Sequence, residues 1–267
     1  MTTTARLLGR LREHDWMAAA IELVIVVAGI LIALEVSNWN DDRLDRRHAA
    51  HYLARIHADL LTDRRNIDIT LAFWDKVADY GADAMANGES GQRVDGSAWK
   101  TVLAWYQASQ TMPFEATDTT FEEMRSSGEL GLIVDERLRK DLAEYYRLTG
   151  NGPLGKFLQH DPVYRMQVRE ATPWATQRYI WDHCFRESSY YGQTLVDCPS
   201  PMSEQEAAAL LDTYRQTPGL LGNLRFWMST LRVSSIVLRN MRGTADQILL
   251  NTGAAQDGGE TQAKSPD

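Results

Sequence analysis

The chain has 267 residues, of which 44% are hydrophobic and 24% are charged, so it is long enough for one large domain or two small ones with a sizeable core. Its formal net charge is −8 and its sequence pI is about 5.3. Arginines alternate with acidic residues along the chain, as in Asp41-Asp42-Arg43 and Asp45-Arg46-Arg47. Because phosphate binding requires a clustered basic surface, this pattern argues against a nucleic-acid partner and predicts a solvated helix surface.

The chain opens with a short tail, residues 1–16, followed by a predicted transmembrane helix at residues 17–37. Met17 to Val36 supplies the roughly 20 mainly apolar residues that cross about 30 Å of hydrocarbon. Trp16 and Trp39 bracket this run about 34 Å apart in a helix, where indole rings favour the two membrane interfaces. A cleaved signal needs a basic start and an Ala-x-Ala site after its apolar run. Here Glu13, Asp15 and Glu22 lie in or beside the basic region and no Ala-x-Ala pattern follows the apolar run, so we expect a retained anchor in the lipid bilayer.

Two glutamates, Glu22 and Glu35, interrupt the apolar run and point in different directions on a helix. Glu22 shares a stripe with Gly29 and Ala33, a small-xxx-small pair that lets two helices approach closely in lipid. One interpretation is a homo-oligomer whose membrane helices meet at Glu22, Gly29 and Ala33. The other is a monomeric anchor whose glutamates extend towards the membrane boundary.

The orientation in the membrane depends on weak signals. The arginines on the two sides nearly balance: Arg6, Arg10 and Arg12 before the apolar run, and Arg43, Arg46 and Arg47 after it. The only two cysteines, Cys184 and Cys198, are close enough in sequence to close a local disulfide, which suits an oxidising compartment. Unpaired structural thiols and a reactive thiol remain the alternatives. We therefore expect a cytoplasmic N-terminus and an exported C-terminal domain.

Residues 38–250 form a predicted helical domain. A stalk at 38–80 continues the anchor, because apolar residues recur every three or four positions and no proline or glycine intervenes before Gly81. Residues 87–96 are predicted to be a loop, and shorter helices follow over 98–217. A long helix at 219–250 has one apolar stripe and should pair with the stalk. The polar residues 251–267 are predicted to be a disordered tail. The fold class is therefore all-α, an elongated helical bundle.

Local signals place the ends of the shorter helices. Thr119 to Glu122 and Ser203 to Glu206 both have the pattern of a capping box, and Gly128 follows the first of these helices. Asp135 is the expected start of the next helix. The remaining expected helices are 98–109, 136–148, 154–170 with a kink near Pro162, and 174–186.

Two blocks of sequence resemble an uncharacterised bacterial family of single-pass membrane proteins that carries a domain of unknown function. The first is Glu22 to Asn40, with Gly-Ile-Leu-Ile-Ala-Leu followed by Asn-Trp-Asn, and the second runs from Thr120 to Leu130 and on to Tyr145-Tyr146. The resemblance implies an N-terminal anchor and a helical domain, without a known activity. The sequence departs from the family pattern at Glu35, where a neutral polar residue is usual.

Candidate chemical sites are few, and each has a simpler structural explanation. Asp41, Asp45, His48 and His51 share one helix face, yet a metal site usually draws ligands from other elements too. The pairs His160-Asp161 and Asp182-His183 diverge on a helix. An acidic cluster includes Glu115, Asp118, Glu122, Glu123 and Glu129, and capping accounts for part of it. Aromatic residues suit either a ligand groove or a core: Trp99, Trp105, Tyr106, Tyr145, Tyr146, Trp174, Tyr179 and Trp181.

The sequence therefore predicts no catalytic, metal or cofactor-binding residues. The first functional hypothesis is a membrane-anchored helical interaction or scaffolding module of the bacterial cell envelope, with another membrane protein as a further partner. The second is an envelope ligand-binding or sensory domain, which would signal through a membrane partner because the N-terminal tail is too short to fold into an output domain. The third is an envelope enzyme with a site that the sequence does not reveal.

Overall fold

The computed structural model of the protein describes the backbone of residues 4–148, 161–187 and 192–262, and the side chains of these residues except 4–15, 17–19 and 253–262. Within these ranges the chain forms eight α-helices and almost no strand, which confirms the all-α prediction. The chain divides into two units, residues 1–52 and residues 53–267.

The elements follow one another in a simple order. The helices are α1 (Thr4–Ser90), α2 (Ala98–Gln107), α3 (Thr119–Ser127), α4 (Glu136–Leu148), α5 (Val163–Ala171), α6 (Trp174–His183), α7 (Glu204–Gln216) and α8 (Leu220–Gln262). Two short 3₁₀ turns lie at Val94–Gly96 and Glu129–Leu132. The strands β1 (Phe185–Glu187) and β2 (Gln193–Leu195) pair antiparallel between α6 and α7, with Phe185 opposite Leu195.

The first unit consists of the N-terminal part of α1. None of its described side chains is buried, and every residue from Ile21 to His48 is exposed. Apolar residues here therefore have no covering partner within the described chain.

The second unit has a core built around α1 and α8, which run antiparallel. Arg225 of α8 contacts Glu89 at 2.8 Å, while Thr252 at the other end of the contact lies 2.9 Å from His57. The predicted apolar stripe of α8 is buried throughout, which confirms the long helix: Leu220, Leu224, Trp227, Leu231, Leu238, Met241, Ala245 and Ile248. The helix packs against residues 53–90 of α1, which include the C-terminal part of the predicted stalk 38–80. Indole N–H groups anchor the loop after α2, since Trp74 donates to the Met112 carbonyl and Trp227 to the Ala108 carbonyl.

The α1 helix extends beyond Tyr80, where the sequence predicts its end, to Ser90. Gly81 and Gly88 look like helix breakers in the sequence, but in the structure they face α8. A Cβ at Gly81 would lie 2.1 Å from Met228 Sδ, and one at Gly88 would lie 2.8 Å from Leu221 Cδ1. Both glycines therefore allow close approach of two helices, and α1 ends only before Gly91, whose φ is +77°.

Other predicted boundaries also differ. The tail predicted to be disordered at 251–267 is helical as far as Gln262, and Leu249 and Thr252 continue the buried face of α8. Residues 263–267 lie outside the described residues. The spacing of apolar residues along the stalk predicts a buried Ala78, but Ala78 is exposed and Val77 is buried instead. Pro162 precedes the first turn of α5 rather than kinking a longer helix, and residues 149–160 are outside the described part.

The N-termini of three helices can be compared with the caps that the sequence predicts. Ser203 accepts from the Glu206 N–H and Glu206 accepts from the Ser203 N–H, so this capping box is confirmed. The Asp135 carboxylate accepts two N–H groups at the start of α4, as predicted. The box predicted at Thr119 is wrong: the residue before α3 is Asp118, no side chain caps this helix, and Glu122 pairs with Arg125.

Candidate functional site

An apolar segment, Ile21 to Val36, is the most distinctive surface of the first unit. Its large apolar side chains are 46% to 66% exposed: Ile21, Leu23, Val24, Ile25, Val26, Val27, Ile30, Leu31, Ile32, Leu34 and Val36. Each would gain about 1.5 to 3 kcal/mol on full transfer out of water. Among the described residues, α1 is the one helix long and apolar enough to cross a membrane, and none of its apolar window is buried.

The predicted interface tryptophans flank this segment. Trp16 is 65% exposed and Trp39 is 58% exposed. The Arg43 guanidinium lies 5.8 Å from the centroid of the Trp39 ring, within the range of a cation–π contact. The structure thus places an aromatic and a cationic group directly after the apolar segment, as at a boundary between hydrocarbon and water.

The predicted contact residues Glu22, Gly29 and Ala33 are all exposed on α1. A Cβ at Gly29 would meet no atom within 4 Å. Glu35 is exposed as well. Within the described part of the chain, the stripe of Glu22, Gly29 and Ala33 is therefore exposed along its length.

The other candidate clusters from the sequence do not converge into a reactive site. Asp41, Asp45, His48 and His51 are exposed on α1, and the described residues contain no group of three or more His, Cys, Asp or Glu able to hold a metal ion. Within the acidic cluster, Glu123 pairs with Arg55 at 2.6 Å and Glu129 accepts from the Ser127 hydroxyl at 2.7 Å. These carboxylates are engaged in separate surface contacts.

Most of the aromatic residues named above belong to the core. Trp99, Trp105, Tyr106, Tyr145 and Tyr146 are buried, which matches helix packing rather than a groove. Trp174 is 70% exposed, and Tyr179 and Trp181 are half-buried. Tyr179 stacks on the His183 ring with centroids 4.1 Å apart.

One cleft of about 540 Å³ opens beside Tyr179, between α6 and the segment that leads into α7. Asp182 and His183 both line it, although as neighbours on α6 they do not form a couple. Its wall combines apolar and charged side chains: Pro173, Ala175, Thr176, Arg178, Tyr179, Asp182, His183, Pro201, Met202, Glu206 and Leu210. His160, the other predicted histidine of an adjacent acid pair, lies outside the described residues.

A disulfide joins Cys184 and Cys198, with the Cα atoms 5.1 Å apart. Cys184 directly follows α6, and Cys198 directly precedes the segment that forms the opposite wall of the cleft. Both are held further by the core, because Gln107 donates to the Cys184 carbonyl and Trp99 donates to the Cys198 carbonyl. The bond therefore fixes the spacing of the two walls, and the hairpin of β1 and β2 between them replaces the end of the predicted helix 174–186.

Asp63 is a buried acidic residue that sequence reasoning missed. Its carboxylate is fully buried and accepts from the Thr117 N–H at 2.7 Å and from the Tyr145 hydroxyl at 2.9 Å. Burial raises the pKa of Asp63 above its ordinary value, while these hydrogen bonds oppose that shift. One turn away, Asp59 accepts from the Thr120 hydroxyl at 2.5 Å. Because no cation contacts Asp63 among the described residues, the arrangement joins α1, α4 and the loop before α3 without forming an ion pair.

Comparison with protein-family models, with curated proteins and with solved structures finds no match to this chain.

Proposed function

We propose that the protein is a membrane-anchored helical interaction or scaffolding module of the bacterial cell envelope. The apolar segment of α1 crosses the inner membrane once, with the N-terminus in the cytoplasm and residues 53–267 in the periplasm. The resemblance of its two sequence blocks to an uncharacterised family of single-pass membrane proteins agrees with this proposal.

A single observation carries the proposal, the contrast between two kinds of apolar residue on α1. Every large apolar side chain from Ile21 to Val36 is exposed, whereas Ile56, Leu60 and Ile67 further along are fully buried. A segment this apolar is unfavourable in water, and hydrocarbon is the environment that suits its length.

Alkaline extraction of bacterial membranes tests the anchor. The full chain should stay in the membrane pellet. Replacing both Val27 and Ile30 with arginine should release it, because each arginine at the centre of a span costs about 2.5 to 3.5 kcal/mol. The matched control replaces the same two residues with leucine and should remain in the pellet. Extraction of the wild-type chain would contradict the anchor.

The orientation is supported by the disulfide, since such bonds persist in oxidising compartments. Protease added to spheroplasts should digest residues 53–267 while the cells remain intact. Thiol labelling of native membranes should reach Cys184 and Cys198 only after reduction. Protection from protease until the membrane is broken, together with freely labelled thiols, would reverse the orientation.

Self-association is the expected partner interaction of the anchor, and the exposed stripe of Glu22, Gly29 and Ala33 supports it. Gly29→Ile should abolish crosslinked dimers in native membranes, because the side chain would separate the helices. Ala28→Ile is the matched control, since Ala28 lies about 120° around the helix from Glu22. Unchanged crosslinking of Gly29→Ile would rule out this stripe as the contact, and a wild type without crosslinked dimers would favour a monomeric anchor. Other crosslinked species would identify a different membrane partner.

Ligand binding is a second candidate function, and the cleft beside Tyr179 favours it. Its volume is within the range of small-molecule sites, roughly 300 to 1,000 Å³. Arg178 lines the cleft without an ion pair to another described side chain, so it is available to an anionic group. A screen of small carboxylates by thermal unfolding should yield compounds that stabilise the wild type but not Arg178→Ala. Equal stabilisation of both proteins would place binding elsewhere.

A further inference from the structure

The charged residues that follow the apolar segment are interleaved in sequence but separated around the helix. Taking Trp39 as the origin and about 100° per residue, Arg43, Arg46 and Arg47 lie within about 50° of one direction. Asp41, Asp42 and Asp45 occupy another arc of similar width, centred about 140° away. This part of α1 thus has a basic face, defined here as Trp39, Arg43, Arg46 and Arg47, and a separate acidic face.

The arginines of the basic face are available for binding. All three are exposed, and no ion pair or hydrogen bond joins them to another described side chain. Even Asp42, which lies next to Arg46 at one edge of the face, forms no ion pair with it. Among the described side chains, the aromatic contact of the group is that of the Arg43 guanidinium with the Trp39 ring.

The distance between the basic face and the apolar segment determines where the arginines lie relative to the membrane headgroups. Trp39 lies about 4 to 5 Å beyond Val36 along the helix axis, and Arg43 lies about 10 Å beyond it. Side chains on a helix lean towards its N-terminus, here towards the apolar segment, and the Arg43 guanidinium does so by lying over Trp39. Polar headgroups extend only about 5 to 8 Å beyond the hydrocarbon on each side, so Arg43 reaches their phosphates, while Arg46 and Arg47 lie within a Debye length.

We propose that the basic face binds the phosphates of anionic phospholipid headgroups, in the leaflet on the C-terminal side of the apolar segment. The proposal rests on the membrane-anchoring function proposed above. Charge complementarity selects the ligand, because a guanidinium matches a phosphate in geometry and charge. The basic face directly follows the apolar segment, so headgroups lie at the level of Trp39 once the segment is embedded. This position favours lipid over an acidic protein surface as the ligand.

The test uses the full chain reconstituted into phosphatidylcholine vesicles that contain a trace of spin-labelled lipid. The relative association of labelled phosphatidylglycerol over labelled phosphatidylcholine is measured for three proteins. They are the wild type, a variant with Arg43, Arg46 and Arg47 changed to glutamine, and a matched variant with Asp41, Asp42 and Asp45 changed to asparagine. Circular dichroism checks that all three retain their helices.

We expect the wild type to prefer phosphatidylglycerol by up to about fivefold, which is the factor that one exposed ion pair contributes at its strongest. High salt should weaken the preference, the arginine variant should lose it, and the asparagine variant should keep or increase it. A wild type without preference, or an arginine variant that retains it, overturns the proposal. Loss of the preference in inorganic phosphate, but not in chloride of equal ionic strength, would mean a soluble anion is the ligand and would also overturn it.

Failure of the anchor is distinguishable from failure of this proposal. Flotation of the wild type with vesicles of phosphatidylcholine alone reports the anchor, because that lipid has no net charge. A chain that fails to float overturns both proposals. A chain that floats and shows no lipid preference overturns only the binding of anionic headgroups.

Discussion

Replacing Asp63 with alanine should destabilise the second unit by about 3 kcal/mol. The substitution removes the acceptor of both the Thr117 N–H and the Tyr145 hydroxyl, at a site where Asp63 is fully buried. Each buried donor left without an acceptor costs about 1 to 3 kcal/mol. Relief of the buried carboxylate offsets part of this cost. Asp63→Asn should cost less than about 1 kcal/mol, because the amide keeps one acceptor and the tyrosine hydroxyl can accept its N–H.

Chemical denaturation of the full chain in detergent, followed by tryptophan fluorescence, measures these differences. The fluorescence reports this unit because Trp74, Trp105 and Trp227 are in its core. Asp79→Ala is the control, since Asp79 is exposed on the same helix, and it should change the free energy of unfolding by less than about 0.5 kcal/mol. An Asp63→Ala protein as stable as the wild type would refute the assigned role of the two hydrogen bonds.

The pH dependence of the same measurement has a definite sign. The pKa of Asp63 is raised in the folded state from an ordinary value of 3.8, so the folded state holds this proton more tightly than the unfolded state. The contribution to stability is therefore fully present below pH 3.8 and is lost as the pH rises through the raised pKa. As the pH rises from 3.8 through the raised pKa of Asp63, the wild type should lose stability relative to Asp63→Asn. A difference that is flat or increases with pH would contradict the raised pKa.

Three further predictions concern the disulfide, a glycine contact and a helix cap. Changing Cys184 and Cys198 to serine should lower the free energy of unfolding by about 3 kcal/mol and make it insensitive to reductant, as denaturation with and without reductant will show. Gly81→Ala should destabilise the wild type because of Met228, but gain about 1 kcal/mol in a Met228→Ala background, so a double-mutant cycle that shows no coupling would contradict the contact. Ser203→Ala should cost about 1 kcal/mol in denaturant unfolding, and Thr119→Ala, which removes no cap, should cost much less.

The long helices could be predicted from sequence because their burial follows a local period. Apolar residues every three or four positions are enough to define the buried face of α8 from Leu220 to Ile248. The partner of α8 could be predicted from the length of its apolar stripe, since a stripe of that length needs a second long helix. The end of α1 could not be predicted from the sequence, because a glycine next to Leu221 or Met228 can only be recognised as a helix contact once the partner helix is in place.

The burial of Asp63 and the two short strands could not be predicted from the sequence. The acceptors and donors around Asp63 come from Thr117 and Tyr145, which are distant along the chain. A lone aspartate in a helical pattern is normally exposed, so local sequence gives no reason to bury it. The strand pair of β1 and β2 was also missed, since three-residue strands carry little periodicity; the pair lies between the bonded Cys184 and Cys198.

The candidate site in α1 was more predictable than the packed unit, for a physical reason. A bilayer imposes a fixed thickness, so the apolar segment could be measured against it one residue at a time, whereas a protein core has no such external standard. The same helical geometry that grouped Glu22 with Gly29 and Ala33 also separates the arginines after Trp39 from the neighbouring aspartates. In the linear sequence that separation is invisible, and the charges appear to cancel. On the helix they do not cancel, so the electrostatic attraction that this segment exerts depends on the face that is presented rather than on its net charge.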